Sequence, residues 1–165
     1  MTRLSAVRRA LLLVLVLLVA GCGSSKSTAP TTTSAAAPPG PGNVLYAGGD
    51  WAVVVNGAQA TAFHRVGGVW HPDRTGAVKI AILGPKGKVA RIPQCAVELR
   101  ATRPLIESGM WVDGQELVVK GGGLRPERGT IYGAPAAPLA PGKHVAVAYG
   151  RTDTHATAVA WTFTV

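Results

Sequence analysis

The apolar positions of this chain fall in short runs that are separated by turn-forming residues. From Asn43 onward, runs rich in Val, Ile, Ala and aromatic residues alternate with Gly, Pro and Asp-Gly. Runs of this length are typical of β-strands, and long apolar segments with helical spacing are lacking from this part. The pattern therefore predicts an all-β fold. The predicted strands are WAVVV, ATAFHRV, AVKIAIL, CAVELRA, MWVDGQELVV, GTIYG, KHVAVAYG and TAVAWTFTV.

The final strand carries the clearest alternation of large and small side chains. Large apolar residues lie on one face and Ala or Thr on the other: Val159, Trp161, Phe163 and Val165 against Ala158, Ala160, Thr162 and Thr164. Such alternation predicts one buried face and one face near solvent. The run at Val145, Val147 and Tyr149 alternates in the same way, so the two strands are expected to pair antiparallel. Asp153 and His155 then lie in the loop between them.

The turn residues divide the folded part into two segments. Asn56-Gly57 is a good two-residue hairpin turn, so residues 43–72 are expected to form an added β-hairpin. Residues 73–165 are close in length to the roughly 100 residues of an immunoglobulin-like sandwich, with strands at regular spacing. The fold predicted is an immunoglobulin-like antiparallel β-sandwich with an extra N-terminal hairpin.

The first 21 residues are excluded from the fold because they form a secretory signal. Arg3, Arg8 and Arg9 precede the unbroken apolar run LLLVLVLLVA, and small residues follow it. This order is that of an export signal. The apolar run is about half of the roughly 20 residues that a membrane-spanning helix needs.

The sequence VAGC at the end of this segment resembles the lipobox of bacterial lipoproteins. The resemblance implies cleavage before Cys22 and acylation of its thiol, typically with palmitate. Two or more acyl chains give stable anchoring, because each buried methylene contributes roughly 0.8 kcal/mol. We therefore expect a lipid-anchored, extracytoplasmic protein of the cell membrane, with Cys22 as its lipidation site.

The segment that follows Cys22 is predicted to be a disordered tether. Residues 22–42 are almost entirely Gly, Ser, Thr, Ala and Pro, with a single Lys. This composition cannot bury a core. Twenty such residues span roughly 25 Å on average, so the folded part is held near the membrane.

The charge of the chain favours anionic partners in the envelope. The full sequence has 17 Lys and Arg against 8 Asp and Glu, and removal of the signal takes away three of these bases. A basic surface favours lipid headgroups or anionic polymers. Nucleic acid is not expected as a partner of an exported protein, and no dense run of Lys and Arg reads as a binding arm.

The C-terminal third resembles bacterial extracellular immunoglobulin-like domains. The matching segments are Val112-Asp113-Gly114, the turn from Leu139 to His144, Asp153 in a loop, and the terminal strand Trp161–Val165. Residues 73–109 match weakly. Members of this group are mostly spacers, adhesive modules or accessory domains, so the resemblance implies a fold more than a function.

The same region also resembles CopC-type periplasmic copper carriers. The resemblance implies that Asp153 and His155, in an Asp-x-His pattern before the last strand, bind Cu(II). Imidazole and carboxylate groups suit this ion. A third ligand would come from His64, His71 or His144, and the sequence does not decide which. The acylated N-terminus predicted here departs from that family, which uses a histidine with a free amine.

No catalytic motif is recognised, and the protein is not expected to be an enzyme. Cys95 has no partner if Cys22 is acylated, and its apolar run predicts a small buried hydrophobe. Glu98 and Glu107 are a candidate carboxylate pair, and the sequence does not fix the distance between them. No cofactor is expected.

Two groups of side chains are candidate binding surfaces. Exposed tryptophans would indicate glycan or protein contact, although most are expected in the core: Trp51, Trp70, Trp111 and Trp161. Trp161 is assigned to the core by its alternation, whereas Trp111 abuts the Asp113-Gly114 turn and is expected to be half exposed. Clustered arginines would suit an anionic polymer: Arg100, Arg103, Arg125, Arg128 and Arg151. The function expected is a non-enzymatic envelope binding or accessory module, with Cu(II) carriage as the alternative.

Overall fold

The computed structural model describes residues 42–125 and 127–165, without the side chains of 122–125. The predicted signal and nearly all of the tether, including Cys22, lie outside this part. Thirteen strands are described: β1 (Asn43–Gly48), β2 (Trp51–Asn56), β3 (Gln59–Val66), β4 (Val69–Pro72), β5 (Val78–Gly84), β6 (Gly87–Lys88), β7 (Cys95–Ala101), β8 (Glu107–Val112), β9 (Gln115–Glu116), β10 (Lys120–Arg125), β11 (Arg128–Gly133), β12 (Lys143–Arg151) and β13 (Ala156–Thr164).

The strands form three sheets. The N-terminal sheet has the order β1-β2-β3-β4, the outer sheet β10-β11-β7-β5, and the central sheet β6-β13-β12-β8-β9. All neighbours pair antiparallel except β13 and β6, which pair in parallel. The all-β class and the antiparallel arrangement are confirmed, and the immunoglobulin-like assignment stays a prediction.

The N-terminal sheet contains the predicted hairpin with one further strand on each side. The turn at Asn56-Gly57 joins β2 to β3, with Gly57 at a φ of 57°, a left-handed conformation that glycine adopts at little cost. Gly49 and Gly67 have similar φ values in the two turns that add β1 and β4. The segment is therefore a four-stranded meander that can cover a wide surface.

The central sheet is buried on both faces. On β8, Met110 and Val112 point into a core shared with the outer sheet, whereas Trp111 points into a second core beneath the N-terminal sheet. On β12, Ala148 and Tyr149 divide between the two cores in the same way. The small-residue face of β13, expected near solvent, is partly buried in the second core, because the N-terminal sheet packs on it.

The registers place the loops at two opposite ends of the layers. We call the end near Gly42 the proximal end; it includes the turn at residues 56–57 and the loops 85–94, 113–119 and 134–142. We call the opposite end the distal end; it includes the loops 73–77, 102–106 and 152–155. The described chain thus begins at the proximal end.

All four tryptophans belong to the buried interior, with exposures from 3% to 8%. The suggestion that Trp111 is half exposed is therefore wrong: its indole packs over Gly109, at a distance that leaves no room for a Cβ there. The indole N–H of Trp161 donates to the Pro85 carbonyl at 3.0 Å. Exposed tryptophans consequently do not form a binding surface in this fold.

The two turns quoted for the immunoglobulin-like resemblance are joined by a side-chain contact. His144 Nδ1 lies 2.6 Å from Asp113 Oδ2, and His144 Nε2 lies 2.8 Å from the Ala140 carbonyl. Both partners accept hydrogen bonds, so the doubly protonated imidazolium satisfies both contacts. Asp113 also accepts from the Val145 backbone N–H. The contact fixes the proximal end of β12.

This contact makes stability depend on pH through His144. The hydrogen bond to Asp113, followed by that to Ala140, raises the pKa of His144 above its ordinary value. The contribution of protonated His144 to the free energy of unfolding is therefore complete below the unfolded pKa of about 6.5. It is lost as the pH rises through the pKa of the folded state. We expect His144→Gln to remove this dependence. Urea unfolding at a series of pH values tests it, and an unchanged pH profile in the variant would contradict it.

Candidate functional site at the distal end

The loop that carries Asp153 and His155 is a tight connection between β12 and β13. Arg151 and Ala156 form the last strand pair, which leaves four residues in the loop. The Thr152 backbone N–H donates to the His155 carbonyl at 2.8 Å, and the Thr152 hydroxyl accepts from the His155 N–H at 3.0 Å. Thr152 is fully buried and closes the turn.

The two predicted metal ligands point to different partners. The Asp153 carboxylate forms an exposed ion pair with Arg103, with 2.7 Å between Oδ2 and Nη1. His155 Nδ1 lies instead 3.3 Å from Asp73 Oδ2. The structure therefore does not bring Asp153 and His155 to one point.

Asp73 is the buried acid of this end, and its carboxylate is held by several donors. The backbone N–H groups of Thr75 and Ala156 donate to it at 3.0 and 2.9 Å, and the Thr75 hydroxyl adds a third bond. Burial by itself raises the pKa of Asp73, but these hydrogen bonds outweigh it and hold the pKa below its ordinary value. Asp73 thus stays ionised and orients the ring of His155.

Three histidines line one cleft at the distal end, which we call the distal cleft. His64, His71 and His155 surround a volume of about 200 Å³, together with Asp73 and Thr154. His64 and His71 are paired across β3 and β4, so their side chains share a face. The ring of His64 stacks on Trp51 at 4.0 Å between centroids, which fixes one wall of the distal cleft.

The three histidines of the distal cleft are not arranged as the ligands of a metal ion. Among residues 42–125 and 127–165, no three His, Cys, Asp or Glu side chains converge closely enough to hold an ion. His144, one of the three candidates for a further ligand, lies at the proximal end with Asp113. The ligand set predicted around Asp153 and His155 is therefore not assembled here.

The residues considered for catalysis are engaged in structural roles. Cys95 is fully buried in the core, and burial raises the pKa of its thiol to about 11. Glu98 lies on the outward face of β7, whereas Glu107 lies on β8 in the central sheet. The two carboxylates belong to different layers and do not form a pair.

Glu107 connects the N-terminal sheet to the central sheet. The Tyr46 hydroxyl donates to Glu107 Oε1 at 2.6 Å, and Arg151 donates to the other carboxylate oxygen. The Arg151 guanidinium also lies over the Trp51 ring, 5.8 Å from its centroid. This network is part-buried and joins the layers of the fold.

The arginines that could form a basic patch lie toward the distal end and are paired with acids. Arg100 and Arg128 both contact Glu98, which holds the pKa of this carboxyl below its ordinary value through hydrogen bonds. Arg103 pairs with Asp153 and Arg151 with Glu107. The Arg125 side chain is outside the described atoms. These four charges are therefore at least partly neutralised, and an arginine patch for an anionic polymer stays a prediction.

An apolar groove at the proximal end was not anticipated from the sequence. It encloses about 440 Å³ between the loops 89–94, 117–119 and 134–136. Val118 is 81% exposed and Ile92 is 52% exposed at its rim, and Lys120 also lines it. Local sequence carries no signal for it, because the three loops meet only in the folded chain. Local sequence likewise carries no signal for the distal cleft or for the role of Asp73, because their residues come together only in the folded chain.

In the part of the chain that the structure describes, no helix is long and apolar enough to cross a membrane. No protein-family model matches this sequence, and comparison with the curated proteins gives no significant match.

Proposed function

We propose that this chain is an extracytoplasmic lipoprotein, anchored to the cell membrane at Cys22, whose folded part is a non-enzymatic binding or accessory module. The proposal rests on the predicted export signal and lipobox for location. Its function rests on one observation of the fold. The carboxylates and the thiol that an enzyme would use are committed to structural contacts, while the distal cleft stays open.

The distal cleft is the binding surface that best suits such a module. It lies at the end opposite to Gly42, so a protein tethered through its N-terminal segment presents it away from the anchor. Imidazole rings, two threonine hydroxyls and Arg74 offer donors and acceptors around a rigid wall of stacked rings. A protein or a polar polymer of the envelope is the partner that this chemistry fits.

Two measurements in living cells test the proposal: photo-crosslinking for contact with a partner, and cell fractionation for anchoring at Cys22. A photo-crosslinking residue replaces His71 in the distal cleft, or Lys79 on the outer sheet as the matched control. We expect a discrete adduct from position 71 and none from position 79. In parallel, Cys22→Ser should release the protein from membranes that are washed at high salt, which removes electrostatically bound protein but not an acylated one. Retention of the variant in the salt-washed membrane, or identical adducts from both positions, would contradict the proposal.

Copper carriage is the alternative function, and the three histidines of the distal cleft are the nitrogen ligands that it would use. The nitrogen ligands do not converge as they stand, so we expect calorimetric titration with Cu(II) to show no tight one-to-one binding. Tight binding that is lost in His155→Ala and kept in Asp153→Ala would instead establish a copper site in the distal cleft. The Asp153→Ala variant is the control, because its carboxylate faces Arg103.

A further inference from the structure

The proximal end combines three features that no single segment of the sequence reveals. It is where the described chain begins, at Gly42, beside β2. The predicted tether and the predicted lipid anchor at Cys22 precede this point. A tether of about twenty residues spans roughly 25 Å on average, so the proximal end stays within reach of the membrane surface.

The second feature is a set of exposed cations. They come from the loop before β7, the start of β10 and the start of β12: Lys86, Lys88, Arg91, Lys120 and Lys143. None of these five forms an ion pair with a described carboxylate. Lys88 and Lys143 both lie beside Thr164 in the strand registers, which places these two close together.

The acids are distributed in the opposite way. Five of the eight lie at the distal end: Asp50, Asp73, Glu107, Glu127 and Asp153. The proximal end has Glu116 and Asp113, and Asp113 is already paired with His144. Most arginines outside the proximal end pair with acids, so unpaired positive charge is concentrated where the described chain begins.

The third feature is apolar surface among these cations. Ile92 and Val118 project from two proximal loops with exposures of 52% and 81%. They border the apolar groove that Lys120 also lines. Exposed apolar side chains surrounded by lysines are typical of surfaces that bind at the interface of a bilayer, where the two contributions add.

We propose that the proximal end docks on the surface of an anionic lipid bilayer. Ile92 and Val118 enter the headgroup region, and the five cations contact anionic headgroups. The inference rests on the proposed function in one respect, since the lipid anchor keeps this end near the membrane. Docking fixes the orientation of the folded module and directs the distal cleft outward.

The test uses the chain from residue 22 onward with Cys22→Ser, which contains every described residue and lacks both signal and acyl chains. Its binding to vesicles of phosphatidylcholine containing phosphatidylglycerol is measured by sedimentation and compared with phosphatidylcholine alone. We expect binding to the anionic vesicles only, weakening as salt is added. Absence of binding to the anionic vesicles would overturn the proposal.

Charge variants locate the contact on the molecule. Lys86→Gln with Lys88→Gln should lower partitioning about 25-fold, since two cations leave the surface. The double variant Lys79→Gln with Arg74→Gln removes two positive charges that lie away from the proximal end. It should change partitioning onto the vesicles by about twofold or less, because distant charges are screened. Equal losses in the two double variants would show attraction by net charge alone and overturn docking through this end.

A matched pair of isoleucines tests the apolar contribution. Ile92 and Ile106 have exposures of 52% and 56%, but Ile106 lies at the distal end, where its N–H donates to the Arg151 carbonyl. Ile92→Asp should reduce binding at least tenfold, and Ile106→Asp should not. Tryptophan fluorescence confirms that both variants are folded. The chain used for vesicle binding has no acyl group, so this result does not depend on whether Cys22 is lipidated. Lipidation is tested separately, by the cell fractionation of Cys22→Ser.

Discussion

Replacement of Trp111 by alanine is expected to lower the free energy of unfolding by about 3–5 kcal/mol. Its side chain is 3% exposed and packs in the core between the N-terminal and central sheets. Alanine would leave a cavity that the two rigid sheets cannot close. Urea unfolding followed by far-ultraviolet circular dichroism measures the loss. Val69→Ala, at a position 58% exposed, is the control and should stay within about 0.5 kcal/mol.

The contact between Trp111 and Gly109 provides an internal check on this prediction. A Cβ on Gly109 would lie 2.6 Å from the indole, so Gly109→Ala forces the ring to move. We expect Gly109→Ala to destabilise the wild-type chain but to cost much less in the Trp111→Ala background. Additive losses in the double variant would show that the two residues do not meet. A loss below about 1 kcal/mol in Trp111→Ala would contradict burial between the sheets.

Replacement of Glu107 by glutamine should destabilise the fold by about 2–3 kcal/mol, because it leaves the part-buried Arg151 without its counter-charge. The same change should lower the pKa of Tyr46. Burial, followed by the hydrogen bond to the Glu107 carboxylate, raises that pKa to about 12. Absorbance titration of the tyrosines measures the shift, and chemical unfolding measures the stability.

The alkaline limit of stability follows from the same network. Because the pKa of Tyr46 is raised in the folded state, neutral Tyr46 contributes fully to the free energy of unfolding below its unfolded pKa of about 10. This contribution is lost between pH 10 and about 12. Glu107→Gln should flatten this part of the profile. Burial also raises the pKa of Tyr149 above its ordinary value, so Tyr149→Phe should likewise flatten the profile above pH 10. At neutral pH it removes a buried hydroxyl without a hydrogen-bond partner among the described residues, so stability there should be unchanged or higher. An unaltered alkaline profile in Glu107→Gln would contradict this assignment.

These two sites share one structural consequence. Trp111 and Glu107 both lie on β8 and both face the N-terminal sheet, so this sheet is an integral layer of the fold. The distal cleft takes His64 and His71 from the N-terminal sheet and His155 from the loop before β13. Binding at the distal cleft therefore depends on the packing that the two predictions measure.

The sequence by itself determined the all-β class and eight strand-forming runs, but it missed β1, β4, β6 and β10 and joined β8 and β9 into one run. Alternation of large and small residues along β12 and β13 is a local property, and so is the glycine turn at Asn56-Gly57, because each depends on a few neighbouring residues. The burial of Cys95 was also predicted correctly from its apolar run. The location and lipidation predictions rest on residues that the structure does not describe.

Only the tertiary structure decided which side chains meet. The two faces of β13 looked unequal in sequence, yet the N-terminal sheet covers the small-residue face, since alanines allow close approach of a second layer. Asp153 and His155 are two residues apart but turn to Arg103 and Asp73, which are far away in sequence. The distal cleft and the grouping of unpaired cations at the proximal end likewise arise from loops brought together by strand pairing, and no local pattern encodes that pairing.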